Sequence, residues 1–276
     1  MFRAALFASS GRAEPYRIQA GISRAQSLGI ELNELPEQAQ AEPGAYLAGS
    51  DSERRLSLER ALAAPEAVAW AVRGGYGLTR LIPFGSMALN RKPVLGFSDV
   101  TALLAAVEQA GGCAVHGPVL TSFAQADQAS QHALGAALLG DSRRWQLQGQ
   151  CSDFSGPIIG GNLEVLTRLI GTSIEPTFAG KVVVLEEVGE PWYRCDRALT
   201  HLLRTTDLNQ AKAIVFGEFV DCEQGALEQL VKRVRDLDII GLTGAPVGHG
   251  SANHAFVWGE RVVFEAGCLT LTGDRS

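Results

Sequence analysis

Apolar positions along the chain alternate between two kinds of run. The short ones are Phe2 to Phe7, which reads as a first strand, Pro93 to Leu95, which reads as a buried strand, and the unbroken Ala67 to Val72, which reads as a strand buried on both faces. Between them lie stretches with apolar residues three and four apart. Pro15 to Leu28 is one such helix, and Val100, Leu103, Leu104 and Val107 mark another, stopped by Gly111-Gly112. Ile30 to Leu35 alternates well enough for a second strand. Ser50-x-x-Glu53 is a capping box opening a helix through Leu58 and Leu62, which Pro65 ends. Cys113 to His116 adds a further short strand. Strands alternating with helices predict a parallel α/β sheet, whose functional groups gather at the strands' carboxyl ends.

Residues 125 to 150 change character, being rich in Gln, Ala and Ser, with Asp and Arg later. We read the link between two domains there, with one helix near Ser130 to Leu139. The predicted division is 1–124, a linking region 125–151, and 152–276. In the second part Gly160-Gly161-Asn162 precedes a helix from Leu163 to Ile170. Lys181 to Leu185 is a strand closed by Glu186-Glu187, and Pro191 to Arg204 is a helix. Ala213 to Phe216 is a strand and Ala226 to Leu237 a helix. His254 to Trp258 and Arg261 to Phe264, joined at Gly259-Glu260, predict a hairpin. This half is mixed β and α.

Composition narrows the function classes. The 276 residues are 46% hydrophobic and 20% charged, ordinary for a globular protein with a full core, and the net charge of −6 gives no basic footprint for nucleic acid. Five scattered cysteines argue against a disulfide framework, and no CxxC pair suggests zinc. No stretch is long enough to span a bilayer. The apolar run at the N-terminus is too short for a secretory signal. The expectation is a soluble, cytoplasmic protein without nucleic-acid or membrane partners.

Ser98 falls where the Pro93–Leu95 strand hands over to a helix. A hydroxyl there sits beside unpaired helix N–H groups, which suits an oxyanion. The same position suits a helix cap, and the nucleophile-elbow pattern G-x-S-x-G is incomplete because Val100 occupies its last place. Arg73-Gly74-Gly75-Tyr76-Gly77 follows a buried strand. It fits neither the dinucleotide fingerprint nor a Walker A loop, and reads as a turn or as exposed backbone N–H groups for an oxyanion. Glu186 ends an apolar strand, with Glu187 and Glu190 as rivals. His249 stands between Gly248 and Gly250 in a loop. His254, five residues on, does not make a zinc-helix spacing. Ser98, Glu186 and His249 follow the order nucleophile, acid, base, which alone is weak because triads recur in any order.

Several of these segments together resemble the LD-carboxypeptidases of serine peptidase family S66. They are Ala71-Val72-Arg73-Gly74-Gly75-Tyr76-Gly77, Gly96-Phe97-Ser98-Asp99-Val100-Thr101-Ala102, Gly160-Gly161-Asn162-Leu163, Leu185-Glu186-Glu187-Val188-Gly189-Glu190, Arg194-Cys195-Asp196-Arg197 and Gly248-His249 with Asn253. The chain departs from the family pattern at Trp192 and Val257. The resemblance implies an N-terminal parallel α/β domain (flavodoxin- or Rossmann-like) and a C-terminal mixed β/α domain, with the active site in the cleft between them. It implies Ser98 as nucleophile, His249 as general base and Glu186 as its orienting acid. The N–H groups of Asp99 and of the Gly74-Gly75 turn, with Gly75 favoured, would hold the oxyanion. Arg73, Gly74, Asn162, Trp192 and Arg194 are candidates to contact substrate, with Arg197 a further cation for a terminal carboxylate. The implied enzyme is a homodimer, needs no metal or cofactor, and removes a terminal D-amino acid from an L-residue of a murein tetrapeptide. Two alternatives stand beside it. One is an immunity hydrolase acting on an aminoacyl-nucleotide antibiotic, with Trp192 and Tyr193 stacking on a base. The other is a two-lobed binding module without catalysis.

Overall fold

A computed structural model describes residues 2–40 and 44–275. The chain divides into two units, Met1–Ala126 with Thr172–Ile174, and Asp127–Gly171 with Glu175–Ser276.

The first unit is a parallel sheet of β1 (Arg3–Phe7), β2 (Glu31–Leu32), β3 (Val68–Ala71), β4 (Val94–Gly96) and β5 (Ala114–His116). Pairing runs β2-β1-β3-β4-β5, the flavodoxin-like order. Its helices are α1 (Pro15–Ser27), α2 (Asp51–Ala63), α3 (Thr101–Gln109) and the short α4 (Leu120–Phe123). All of β3 and β4 is buried, as their apolar sequences predict, and so is β5, His116 included. The capping box is formed: the Ser50 N–H donates to Glu53 Oε2 at 2.7 Å, and the Glu53 N–H donates back to the Ser50 hydroxyl. The second strand is shorter than its alternation suggests. Beyond Leu32 the Asn33 N–H still donates to the Ala4 carbonyl at 3.1 Å, but it is the Asn33 side chain, through Oδ1, that accepts from the Leu6 N–H at 2.7 Å.

The second unit is a seven-stranded mixed sheet. Its elements are α5 (Gln128–Leu139), β6 (Arg143–Gln146), β7 (Phe154–Asn162), α6 (Leu163–Thr167), β8 (Val182–Val188), α7 (Trp192–Thr205), β9 (Ala213–Val220), α8 (Ala226–Arg235), β10 (Gly241–Thr243), β11 (Phe256–Val257), β12 (Glu260–Glu265) and β13 (Cys268–Arg275). The sheet order, which leaves out β11, is β10-β9-β8-β7-β12-β13-β6, parallel from β10 to β7 and antiparallel from β7 onward. Two readings change. The hairpin forms one strand later, between β12 and β13. Within the stretch read as the link, the helix expected near Ser130 to Leu139 forms as α5, and Arg143–Gln146 adds an unexpected edge strand, β6. Asp127 caps α5 by accepting from the Ser130 N–H at 2.6 Å. Trp145 is buried edge-on against Phe256, and the buried Arg143 pairs with the fully buried Glu260. The polar composition of that stretch conceals two large anchors.

Candidate active site

The turn around Ser98 is fixed from several sides. Ser98 has φ 62°, a left-handed backbone that is unusual outside glycine, and it starts a 3-10 turn, Ser98–Val100, leading into α3. Asp99 is 2% exposed. Its Oδ2 accepts from the Ser10 hydroxyl at 2.6 Å and from the Leu78 N–H at 2.9 Å. Burial pushes its carboxyl up, against the pull of these two donors and of the Arg54 charge. Arg54 is fully buried in α2 and donates to the carbonyls of Ser9 and Gly77 and to Asp51. The loops after β1, β3 and β4 are thereby tied into one cluster at the strands' carboxyl ends. Nothing in the spacing marks Arg54, because an arginine early in a helix reads as solvent-facing.

The two central glycines of the turn after β3 differ. A Cβ on Gly74 would lie 2.8 Å from Ser98 Cβ and 3.0 Å from its Oγ, so Gly74 backbone lies against the serine side chain. Gly75 needs glycine for another reason, φ 104°. Arg73 is half-buried, with its guanidinium over the Tyr46 ring at 5.6 Å and donating to the Arg12 carbonyl.

On the second unit, strand β8 carries Glu186 and Glu187 inside its length rather than at its end. Glu186 is 0% exposed, and its Oε2 lies 2.7 Å from His249 Nδ1. Burial alone would lower the imidazole pKa. The charge and hydrogen bond of Glu186, with Glu187 and Glu218 behind, outweigh it, and the net direction is up. The bond to Nδ1 leaves Nε2 as the ring atom able to exchange a proton with a substrate or nucleophile.

The family model for the LD-carboxypeptidase N-terminal domain matches residues 4–117, and that for the C-terminal domain matches residues 155–264. The chain belongs to the LD-carboxypeptidase family S66. It is 34% identical over 249 residues to a murein tetrapeptide carboxypeptidase of Pseudomonas aeruginosa, covering 81% of each chain. It is 28% identical to a probable murein peptide carboxypeptidase of Bacillus subtilis, over 88% of this chain and 82% of that one. Among solved structures, a muramoyltetrapeptide carboxypeptidase from Oxalobacter formigenes superimposes with TM-score 0.85 at 26% identity, covering 99% of both chains. The microcin C7 self-immunity protein shares the fold with TM-score 0.86 at 19% identity, over 98% of this chain and 96% of that one. The protein thus has a two-domain α/β fold and, as an S66 peptidase, is a hydrolase.

The remaining S66 candidates separate by their contacts. Of the three rival carboxylates, only Glu186 meets the histidine. Glu187 is 4% exposed and accepts from Asn162 Nδ2 at 2.8 Å and from the N–H groups of Glu164 and Val188 at 2.9 Å each. Burial and the Glu186 charge nonetheless raise its pKa to about 7. Asn162 also caps α6, its Oδ1 accepting from the Val165 N–H at 3.0 Å. Glu190 pairs with Arg194 at 3.2 Å on exposed surface, and Arg197 lies over the Tyr193 ring. Trp192 is 37% and Tyr193 50% exposed at the start of α7. Among the described residues no three His, Cys, Asp or Glu side chains are grouped to hold a metal ion, and no helix is long and apolar enough to cross a membrane.

Proposed function

We propose that the protein is a serine-type LD-carboxypeptidase. Its substrate is a murein tetrapeptide, and the bond cut joins L-lysine or meso-diaminopimelate to the terminal D-amino acid. The observation that carries this reading is the 2.7 Å contact between His249 Nδ1 and the fully buried Glu186, the arrangement a general base needs. The left-handed backbone at Ser98 and the murein-peptide activity named for the P. aeruginosa and O. formigenes relatives support it.

In this mechanism Ser98 Oγ adds to the scissile carbonyl while His249 Nε2 takes its proton. The N–H groups of Asp99 and of Gly75 in the Gly74-Gly75 turn receive the oxyanion. Collapse of the adduct breaks the C–N bond, and His249 gives the proton to the departing amine of the D-residue. Water, activated by the same imidazole, then hydrolyses the Ser98 ester. Glu186 stabilises the imidazolium formed on His249. Arg73, Arg194 and Arg197 are the candidate cations for the terminal carboxylate, and Gly74, Asn162 and Trp192 complete the proposed substrate contacts. A cytoplasmic homodimer working in peptidoglycan recycling belongs to the same proposal.

The exposed pair Trp192 and Tyr193 favours one second reading, hydrolysis of an aminoacyl-nucleotide conjugate with the base stacked on these rings. Ser98→Ala and wild type, assayed for D-alanine release from L-lysine and diaminopimelate tetrapeptides and for cleavage of an aminoacyl sulfamoyl nucleoside, decide the matter. Loss of D-alanine release in the variant is expected. Undiminished release would reject Ser98, and turnover of the conjugate alone would favour the second reading.

A further inference from the structure

The strand beside Glu186 is irregular. Leu185 pairs with Phe216, yet Glu187 pairs with Phe219, so β9 spends three steps where β8 spends two. Gly217 and Glu218 fill the extra length. The irregularity brings the histidine loop in. A Cβ on Gly217 would sit 2.3 Å from the Val247 carbonyl oxygen, and the Glu218 N–H donates to that oxygen at 2.8 Å. At the loop's other end the Gly250 N–H donates to Glu218 Oε2 at 3.0 Å. The two glycines flanking His249 both lie flush on the same glutamate. A Cβ on Gly248 would be 2.7 Å from Glu218 Cβ, and one on Gly250 would be 2.3 Å from Glu218 Oε2.

We propose that Glu218 is a positioning residue: its main chain and carboxylate grip both ends of Val247–Gly250 and hold the His249 ring on Glu186. This rests on the reading of His249 as the general base. A bulge is a common device for re-aiming a side chain beside an active site, and an imidazole displaced by about 1 Å loses on the order of a hundredfold in rate. Glu218 has a second effect, through charge. The charged groups facing His249 are Glu186 and Glu187 from β8 and Glu218 from β9, while Asp127 at the start of α5 acts on Glu218 and on His254. Glu218 therefore adds to the field that favours the imidazolium formed when the nucleophile is deprotonated.

The two effects separate with two variants. Glu218→Gln keeps an oxygen for the Gly250 N–H but loses the charge, and Glu218→Ala loses both. The readouts are kcat and KM for D-alanine release, and the nitrogen chemical shifts of His249 in the 15N-histidine-labelled full-length protein, titrated with pH. For Glu218→Ala we expect kcat to fall about tenfold or more with KM little moved, and the Nδ1 signature of the bond to Glu186 to weaken. For Glu218→Gln we expect most of kcat to return, with His249 titrating at lower pH than in wild type. A His249 signature and titration unmoved in both variants would overturn the proposal. Should Glu218→Ala not fold, an unmoved titration in Glu218→Gln overturns it alone. If His249→Ala retained full turnover, the functional reading would fall, while the nitrogen shifts would still decide whether Glu218 positions the ring.

Discussion

Placing a methyl group on Gly74 should disable the enzyme while sparing the fold. The added Cβ would stand 2.8 Å from Ser98 Cβ and 3.0 Å from Ser98 Oγ. Carbon atoms in contact prefer about 3.5–4.0 Å, so something must move by roughly 1 Å. Gly74 is not among the residues with positive φ, so alanine is sterically allowed by its own backbone and the strain falls on the neighbour. Ser98 is that neighbour. A displacement of about 1 Å costs on the order of a hundredfold in rate, and an overpacked contact costs about 1–3 kcal/mol of stability. Gly74→Ala should therefore lower kcat for D-alanine release roughly a hundredfold and slow labelling of Ser98 by a fluorophosphonate in parallel. Its urea denaturation should remain a single cooperative transition. Activity within about threefold of wild type, far below the loss expected for such a displacement, would refute the contact as the reason for glycine at 74.

Other outcomes test the second unit. If His249 is the general base, as proposed, its raised pKa puts the acidic limb of kcat/KM above pH 6.5, since the base must be neutral to accept a proton. Glu186→Gln should move that limb to lower pH and cut kcat by roughly 10³–10⁴, and a limb that stays in place would sink the pairing argument. Glu187 keeps its proton to about pH 7 when folded, against 4.5 ordinarily. Between those values the folded state binds more protons than the unfolded one, so stability falls as pH rises, by at most about 3 kcal/mol. Urea denaturation of wild type and Glu187→Gln at pH 5 and pH 8 reads this directly, with a flatter dependence expected in the variant.

Much of the architecture is written locally. Val68–Ala71 is apolar at every position, and Ser50 with Glu53 announces the start of α2, so both are found where the sequence puts them. The odd local settings of two candidates, Ser98 at a strand-to-helix turn and His249 between glycines, are visible in the sequence too. What local patterns do not carry is pairing over distance. Arg143–Gln146 becomes a strand only because Cys268–Leu271 lies beside it, more than a hundred residues later. The choice of Glu186 over Glu187 and Glu190 depends on which way each side chain leaves its backbone. The slip at Gly217-Glu218 exists only as a relation between two strands. Arg54 is hidden for a related reason: its buried partners are carbonyl oxygens, which every residue possesses.

The left-handed turn at position 98 has an evolutionary side. Glycine would adopt φ 62° without the roughly 1–2 kcal/mol that an L-residue incurs there, so a lineage screened only for robustness would drift toward it. If Ser98 is the nucleophile proposed above, its hydroxyl stands there at a cost to folding.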